Sequence, residues 1–225
     1  MIKLIAIEGS VAVGKSTLIQ KLKSYKPIAD KVLFIDEPVS EFSSYVSEND
    51  KKFNPLKEQY DDSRNFPIVQ MHIIKALAKQ LDSSSLTNKK FIISERSLLS
   101  PMVFIDVQSK LNNITPFTAR YLLDECSNAV KTCHTKNNIK LHGVFLIDIP
   151  VENCLSRING RAREGEDNIN KQFMCTLQQS YKEYFEHWGQ QLSNNAVRLT
   201  HETDRTEVFS EFFEYFNNIL NQEED

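Results

Sequence analysis

Eight residues near the amino terminus have the types and spacing needed to bind phosphate. Residues 9–16 read Gly-Ser-Val-Ala-Val-Gly-Lys-Ser and fit the pattern G-x-x-x-x-G-K-[ST] at every fixed position. Its two glycines permit unusual backbone angles, so successive N–H groups can point at phosphate oxygens beside the positive end of a helix dipole. Lys15 would bridge the outer phosphates, and Ser16 would be a ligand for Mg²⁺. The pattern predicts nucleoside triphosphate binding by Gly9, Ser10, Val11, Ala12, Val13, Gly14, Lys15, Ser16 and Thr17.

The motif lies between two predicted elements that position it. Residues 2–7 form a short apolar run typical of a buried strand, and a helical pattern opens at Ser16. Further strand-like runs occur at 32–36, 91–94, 143–149 and 196–199. Helical patterns span about 16–24, 64–82, 98–111, 116–133, 151–159, 169–188 and 206–221. Thr115 followed by Pro116 indicates a capped helix start.

Strands that alternate with helices predict an α/β fold, a doubly wound parallel sheet with helices on both faces. The 225 residues and 40% hydrophobic content suffice for a single domain spanning 1–225. In such sheets ligands bind at the carboxyl ends of the strands, so the residues after each strand are candidates for a site.

Composition and charge narrow the class of partner. The formal net charge is −3 with no block of Lys or Arg, which argues against nucleic acid and favours a small-molecule substrate. No apolar run reaches membrane-spanning length, and the first residues enter a strand directly, so we expect a cytoplasmic protein without membrane association. The cysteines form no C-x-x-C pair and are predicted to be reduced thiols. They are Cys126, Cys133, Cys154 and Cys175.

Charged residues follow two of the predicted strands. Glu37 comes after the second strand, where a carboxylate can accept a proton from an attacking hydroxyl. Glu95 and Arg96 follow the third, where the acid can hold Mg²⁺ through water and the arginine can orient the attacking oxygen and offset phosphate charge. Each has a simpler explanation, Glu37 as a solvent-facing acid before a turn and the other two as a surface ion pair.

A third charged segment carries three closely spaced arginines. Arg157, Arg161 and Arg163, followed by glycine and acids, are typical of a mobile flap that closes on a triphosphate. Guanidinium groups there would neutralise the transferring phosphoryl group. A charged helix end with i,i+4 pairs explains the same residues.

The phosphate-binding pattern, Glu37, the Glu95–Arg96 pair and the three arginines follow one another along the chain. In this order they resemble the motifs of the deoxynucleoside kinase family, from residue 1 to about 204. The resemblance implies a P-loop kinase with a five-stranded parallel sheet and an arginine-bearing lid at about 160–168. It also implies a homodimer that uses ATP and Mg²⁺ to phosphorylate the 5′-hydroxyl of a deoxynucleoside. It assigns Glu37 as the general base, Arg96 as its hydrogen-bonded partner on the 5′-oxygen, and Glu95 as the acid near magnesium. The lid arginines it assigns are Arg157, Arg161 and Arg163, with Arg157 on or near the adenine.

The same resemblance assigns part of the nucleoside pocket. Gln70 matches a base-reading glutamine, whose amide has one acceptor and two donors and so reads thymine or cytosine after a half-turn. Phe42 matches an aromatic position that packs on the nucleoside. Tyr60 and Glu166 match the pair that grips the sugar 3′-hydroxyl, with Tyr60 one residue closer to Gln70 than the family pattern has it.

Two departures from the family pattern concern the base. Leu77 and Pro101 stand where purine-accepting members have arginine and aspartate. Ile73 shares a helix face with Gln70 and Leu77, which predicts an apolar wall suited to a pyrimidine, in thymidine or deoxycytidine. Ile73 and Leu77 are also explained as core residues.

Two other functions fit parts of the pattern. A nucleoside monophosphate kinase of the thymidylate kinase type shares the loop, sheet and lid. It needs basic residues for the acceptor's own phosphate, for which Arg64 and Arg120 are candidates. A GTPase-like switch or a non-catalytic nucleotide-binding regulatory subunit shares the loop. The chain lacks an Asn-Lys-x-Asp guanine signature, and Glu37 with Arg96 argues against an inactive subunit.

Overall fold

The computed structural model describes residues 1–39, 41, 45–46, 52–82, 89–161, 163, 166, 168–192, 195–200 and 205–221. Phe42 and residues 162, 164, 165 and 167 of the predicted lid lie outside this set. The strands are β1 (Ile2–Glu8), β2 (Val32–Ile35), β3 (Tyr45–Val46), β4 (Lys52–Phe53), β5 (Phe91–Glu95), β6 (Ile139–Asp148) and β7 (Ala196–Thr200). The helices are α1 (Lys15–Ser24), α2 (Lys26–Ala29), α3 (Pro55–Asp61), α4 (Phe66–Leu81), α5 (Leu99–Lys110), α6 (Pro116–Asn137), α7 (Val151–Arg161), α8 (Lys171–Gln191) and α9 (Arg205–Asn221).

Five of the strands form one parallel sheet in the order β2-β5-β1-β6-β7. In the register, Ile5 of β1 stands beside Ile93 of β5 and Ile7 beside Phe145 of β6. The chain moves from β1 to one side for β2 and β5, then crosses to the other side for β6. The carboxyl ends of β1, β2 and β5 are therefore neighbours at a topological switch point, where α/β sheets bind ligands. The predicted five-stranded parallel sheet is confirmed.

Alternate residues of the central strands bury opposite faces of the sheet. Leu4 and Ile92 belong to a core shared with α4 and α6, whereas Ile5 and Ile93 belong to a core shared with α1 and α9. All four side chains are buried. Because helices cover both faces of the sheet, its central strands are continuous apolar runs.

Side-chain caps fix where several helices begin. Thr115 accepts a hydrogen bond from the backbone N–H of Thr118 at 3.1 Å, with Pro116 at the first helical position, as predicted. Asn170 caps α8 in the same way through the N–H of Phe173 at 2.9 Å. The second cap fixes the start of α8, which carries the buried Tyr181 to Arg96.

Some predicted bounds are wrong. The helix expected over 64–82 starts as a 3₁₀ turn at Ser63–Asn65, because Asp62 caps that turn through the N–H of Arg64, and α4 runs only over Phe66–Leu81. Strand β6 starts at Ile139 rather than 143, and its register against β1 shifts between Leu4 and Ile5. Helix α3 and the antiparallel pair β3–β4 were not predicted.

The structure also describes the cysteines and the apolar character of the helices. All four cysteines are free thiols, three of them buried and Cys175 exposed. Among the described residues, no helix combines the length and the apolar character needed to span a bilayer.

Candidate active site

Residues 9–16, the phosphate loop, join β1 to α1 in a conformation that depends on its glycines. Gly9 has φ +139°, and a Cβ placed on it would lie 2.4 Å from the carbonyl oxygen of Ile147. Gly14 has φ +112° immediately before α1. No other residue fits at Gly9, since the clash is with backbone on the neighbouring strand. The loop therefore keeps its N–H groups near the amino end of α1, where anions bind.

Lys15 is buried within the phosphate loop. Its Nζ donates to the carbonyl oxygens of Gly9 at 3.1 Å and Ser10 at 2.8 Å. Burial and the nearby guanidinium of Arg96 lower the pKa of Lys15 to about 8. The ammonium is thus preorganised beside the loop in which phosphates are expected to lie.

Ser16 and Glu95 meet beside the loop. Ser16 Oγ donates to Glu95 Oε1 at 2.6 Å, joining the first turn of α1 to the end of β5. Two oxygen ligands at one point suit Mg²⁺, which keeps several waters and phosphate oxygens in its coordination shell. The described residues contain no cluster of three or more His, Cys, Asp or Glu that could hold a metal unaided. The pair therefore fits a magnesium ion that arrives with a nucleotide.

Glu37 and Arg96 form the second charged pair at the sheet edge. Arg96 Nε donates to Glu37 Oε1 at 2.6 Å. Burial alone would raise the pKa of Glu37, but the positive charges of Arg96 and Lys15 outweigh it and hold that pKa below its usual range. Arg96 itself has φ 64°, a left-handed conformation that is strained for arginine. The arrangement keeps an ionised carboxylate facing the cavity at neutral pH.

A buried polar network lies behind Arg96. Glu8, fully buried at the end of β1, accepts hydrogen bonds from Ser97 Oγ at 2.8 Å, Ser100 Oγ at 2.5 Å and the Tyr181 hydroxyl at 3.3 Å. Arg96 Nη1 donates to the Tyr181 hydroxyl at 2.8 Å. The network fixes the far side of the guanidinium, so its Nε stays aimed at Glu37. Sequence reasoning missed Glu8 and Tyr181, although a charged residue closing an apolar strand is a signal for Glu8.

The three arginines of the predicted lid contact other groups of this chain. Arg161 donates from Nε and Nη2 to the Glu166 carboxylate at 2.7 and 2.5 Å, and Arg163 Nη1 lies 3.6 Å from the same carboxylate. Arg157 Nη1 donates to the carbonyl oxygen of Val13 at 3.0 Å, so it lies on the phosphate loop. All three arginines also line the cavity described next.

A cavity of about 530 Å³ opens between the phosphate loop, α3, α4 and the side chains of Arg157, Arg161 and Arg163. Its volume is within the range usual for small-molecule sites. The predicted residues that line it are Val11, Ala12, Gly14, Lys15, Ser16, Thr17, Glu37, Tyr60, Gln70, Ile73, Leu77, Glu95, Arg96, Pro101, Arg157, Arg161, Arg163 and Glu166. Gly9, Ser10 and Val13 do not line it but supply the carbonyls that hold Lys15 and Arg157.

Sequence reasoning did not identify every lining residue. The additional ones are Val39, Leu56, Gln59, Ser100, Phe104 and Gly160. Phe104 lies under the Arg96 guanidinium, with 5.3 Å from the ring centroid to Cζ. Gln59 contacts Gln70, and Tyr60 packs edge-on against Phe173 with ring centroids 6.0 Å apart. Leu77 is both a core residue and part of the cavity wall.

Arg64 and Arg120, the candidates for holding an acceptor phosphate, lie elsewhere. Arg64 pairs with Asp62 and Arg120 with Asp124 on exposed surface. Neither arginine lines the cavity. The geometry therefore offers no support for a monophosphate acceptor from these two residues.

The sheet, the phosphate loop and the Glu37–Arg96 pair define a phosphate-loop kinase. A family model described as deoxynucleoside kinase matches residues 5–225. The chain belongs to this family and is an enzyme that phosphorylates a nucleoside.

Individual relatives are distant. The chain is 25% identical over 177 residues to the thymidine kinase of Ictalurid herpesvirus 1 (strain Auburn). The matched residues make up 78% of this chain and 71% of the relative. It superposes on deoxyadenosine kinase from M. mycoides with bound dCTP at a TM-score of 0.74 and 22% identity, over 96% of this chain and 99% of the other. On the same enzyme with bound dATP it superposes at a TM-score of 0.73 and 23% identity, over 95% of this chain and 99% of the other. At these identities the solved structures support the fold alone.

Proposed function

We propose that the enzyme transfers the γ-phosphate of ATP to the 5′-hydroxyl of a pyrimidine deoxynucleoside, thymidine or deoxycytidine. The observation that carries this proposal is one cavity that holds the ionised Glu37, the phosphate loop and the buried amide of Gln70. A base reader at one end and a phosphate site at the other leave the 5′-hydroxyl between them, beside Glu37.

In the proposed reaction Glu37 accepts the proton of the 5′-hydroxyl as that oxygen attacks phosphorus. Arg96 orients the carboxylate and offsets charge on the phosphoryl group, and Lys15 holds the outer phosphates. Mg²⁺, bound with the nucleotide beside Ser16 and Glu95, would neutralise phosphate charge. Arg161 and Arg163 bring further positive charge over the site, while Tyr60 and Glu166 hold the 3′-hydroxyl.

The preference for pyrimidines rests on the cavity around Gln70. Its side chain is only 2% exposed, and Ile73 and Leu77 continue the same wall without charged groups. The relatives' names differ in the base, since one is a thymidine kinase and another a deoxyadenosine kinase. The deciding experiment is a panel of ATP-dependent phosphorylation rates with thymidine, deoxycytidine, deoxyadenosine, deoxyguanosine and thymidine monophosphate. Higher kcat/KM for a purine nucleoside than for both pyrimidines would overturn this preference.

Replacing Gln70 with leucine tests the base reader. The substitution leaves the polar edge of the base unpaired in a closed pocket, which costs about 1–3 kcal/mol of transition-state binding. We expect kcat/KM for pyrimidine nucleosides to fall roughly 5- to 150-fold in steady-state assays. Gln108→Leu, on α5 and outside the cavity, removes a buried glutamine of similar exposure and should leave kcat/KM unchanged. Equal effects of the two substitutions would make Gln70 a structural residue.

We also propose that the enzyme is a homodimer. Helices α4 and α6 pack side by side, and Asn137 Nδ2 donates to the carbonyl oxygen of Leu81, so their amino ends lie on the same side. There Ile68, Phe117 and Tyr121 are 74%, 82% and 51% exposed. Large apolar side chains clustered on a surface mark association sites, and a two-fold axis buries one patch against its copy.

The mass in solution tests this assembly. Light scattering after size-exclusion chromatography should give twice the chain mass at micromolar concentration. Phe117→Glu should give the single-chain mass, because a charge in the apolar contact is not compensated. Lys136→Glu, at the opposite end of α6, should leave the mass doubled. A wild-type protein with the mass of one chain would contradict the proposal.

A further inference from the structure

Two buried glutamine side chains contact each other in the wall of the cavity. Gln70 Nε2 donates to Gln59 Oε1 at 3.3 Å. Gln70 is 2% exposed and Gln59 is 6% exposed, and both line the cavity. Gln59 comes from α3 and Gln70 from α4, so packing of the two helices places the amides together. The motif comparison assigned a role to Gln70 and none to Gln59.

The pairing has a consequence for reading the base. At the Watson–Crick edge, cytosine presents an acceptor at N3 and a donor at N4, whereas thymine presents a donor at N3 and an acceptor at O4. One amide therefore reads both bases only if it turns by half a turn, which exchanges its oxygen and its nitrogen. In a buried site such a turn also exchanges the group that faces Gln59.

Gln59 is able to follow that exchange. When Gln70 presents its nitrogen to Gln59, the oxygen of Gln59 accepts, as in the structure. When Gln70 presents its oxygen instead, Gln59 donates from its own nitrogen after the same half-turn. A neighbour that could only accept would leave the second orientation with a buried, unpaired amide oxygen, which is unfavourable.

We propose that Gln59 is a specificity-determining residue, whose amide turns together with that of Gln70 so that one pocket accepts both thymidine and deoxycytidine. The inference rests on the proposed pyrimidine kinase function and adds a substrate range to it. Gln59 acts through Gln70 and need not touch the base.

The experiment replaces Gln59 with residues of similar size that cannot donate. In Gln59→Met the sulfur is only a weak acceptor, and in Gln59→Glu, assayed at a pH high enough to ionise a buried carboxyl group, the carboxylate only accepts. Both substitutions favour the orientation in which the Gln70 nitrogen faces position 59. The ratio of kcat/KM for thymidine to kcat/KM for deoxycytidine should therefore shift in the same direction in both variants, by about tenfold.

A binding measurement separates this effect from a general loss of function. Calorimetric titration of each variant with thymidine and with deoxycytidine should show the same shift in the ratio of dissociation constants. Gln108→Met serves as the matched control, because Gln108 is also 6% exposed and accepts a hydrogen bond from the amide of Asn113. This control should leave both ratios unchanged, and circular dichroism verifies that each variant is folded.

The outcomes distinguish failure of this inference from failure of the proposed function on which it rests. The inference is overturned if both folded variants keep the wild-type ratio, if their ratios shift in opposite directions, or if the wild type uses only one of the two pyrimidines. A wild type that prefers purine nucleosides contradicts the proposed pyrimidine specificity itself, and the inference with it. A wild type that uses both pyrimidines, with variants shifted in one direction, supports both.

Discussion

Lys15→Ala is expected to lower kcat by about 10²- to 10³-fold while the protein remains folded. The ammonium donates to two carbonyls of its own loop and Lys15 is not part of either apolar core, so its loss removes positive charge from the phosphates rather than support from the core. Steady-state kinetics and circular dichroism measure the two effects. Lys21→Ala, on the same helix, is the control and should turn over at the wild-type rate.

The pH dependence gives a second test of Lys15. Because its pKa in the free enzyme is lowered to about 8, the ammonium is present below that pH and is lost as the pH rises through it. We expect kcat/KM, which reports ionisations of the free enzyme, to fall above about pH 8. Normal turnover by folded Lys15→Ala, or a kcat/KM that stays constant well above pH 8, would contradict the assigned role.

Much of the fold could be predicted because its signals are local. Alternating apolar runs and helical patterns are enough to specify parallel strands with helices between them, and Thr115-Pro116 marks the start of α6. The missed helix α3 has an equivalent signal, since Asn54 caps the N–H of Lys57 and Pro55 occupies the first helical position. The pair β3–β4 has only two residues per strand, which is too short for a period of two to be recognised.

The candidate site likewise contains residues that local signals identify and contacts that no local signal indicates. Glu37, Glu95 and Arg96 could be identified because each lies at or within two residues of the carboxyl end of a strand, and parallel strands bring these ends together. The contacts behind them are not local. Tyr181 reaches Glu8 from 173 positions along the chain, and nothing in the residues around Tyr181 indicates that its helix turns this hydroxyl towards Arg96. The partner of Gln70 likewise depends on the angle between two helices, which periodicity does not specify.

Glu37→Gln is expected to lower kcat by about 10²-fold or more, with nucleoside binding largely retained. Glutamine keeps the shape of the side chain and can still accept a hydrogen bond from Arg96, but it cannot take the proton of the 5′-hydroxyl. Single-turnover kinetics measures the chemical step, and calorimetric titration with the nucleoside measures binding. Glu58→Gln, an exposed position on α3, is the control and should not change either quantity.

The charge environment of Glu37 predicts where activity is lost in acid. Arg96 and Lys15 hold its pKa below the ordinary value of 4.5, so the carboxylate is ionised above that pH and becomes protonated only further into acid. The acid limb of kcat/KM in the wild type should therefore lie below pH 4.5, and circular dichroism at each pH verifies that the protein is folded. In Glu37→Gln this limb should disappear, because the titrating group is gone. If the variant keeps the wild-type kcat, then Glu37 only positions Arg96, and the proton of the 5′-hydroxyl must leave by another route.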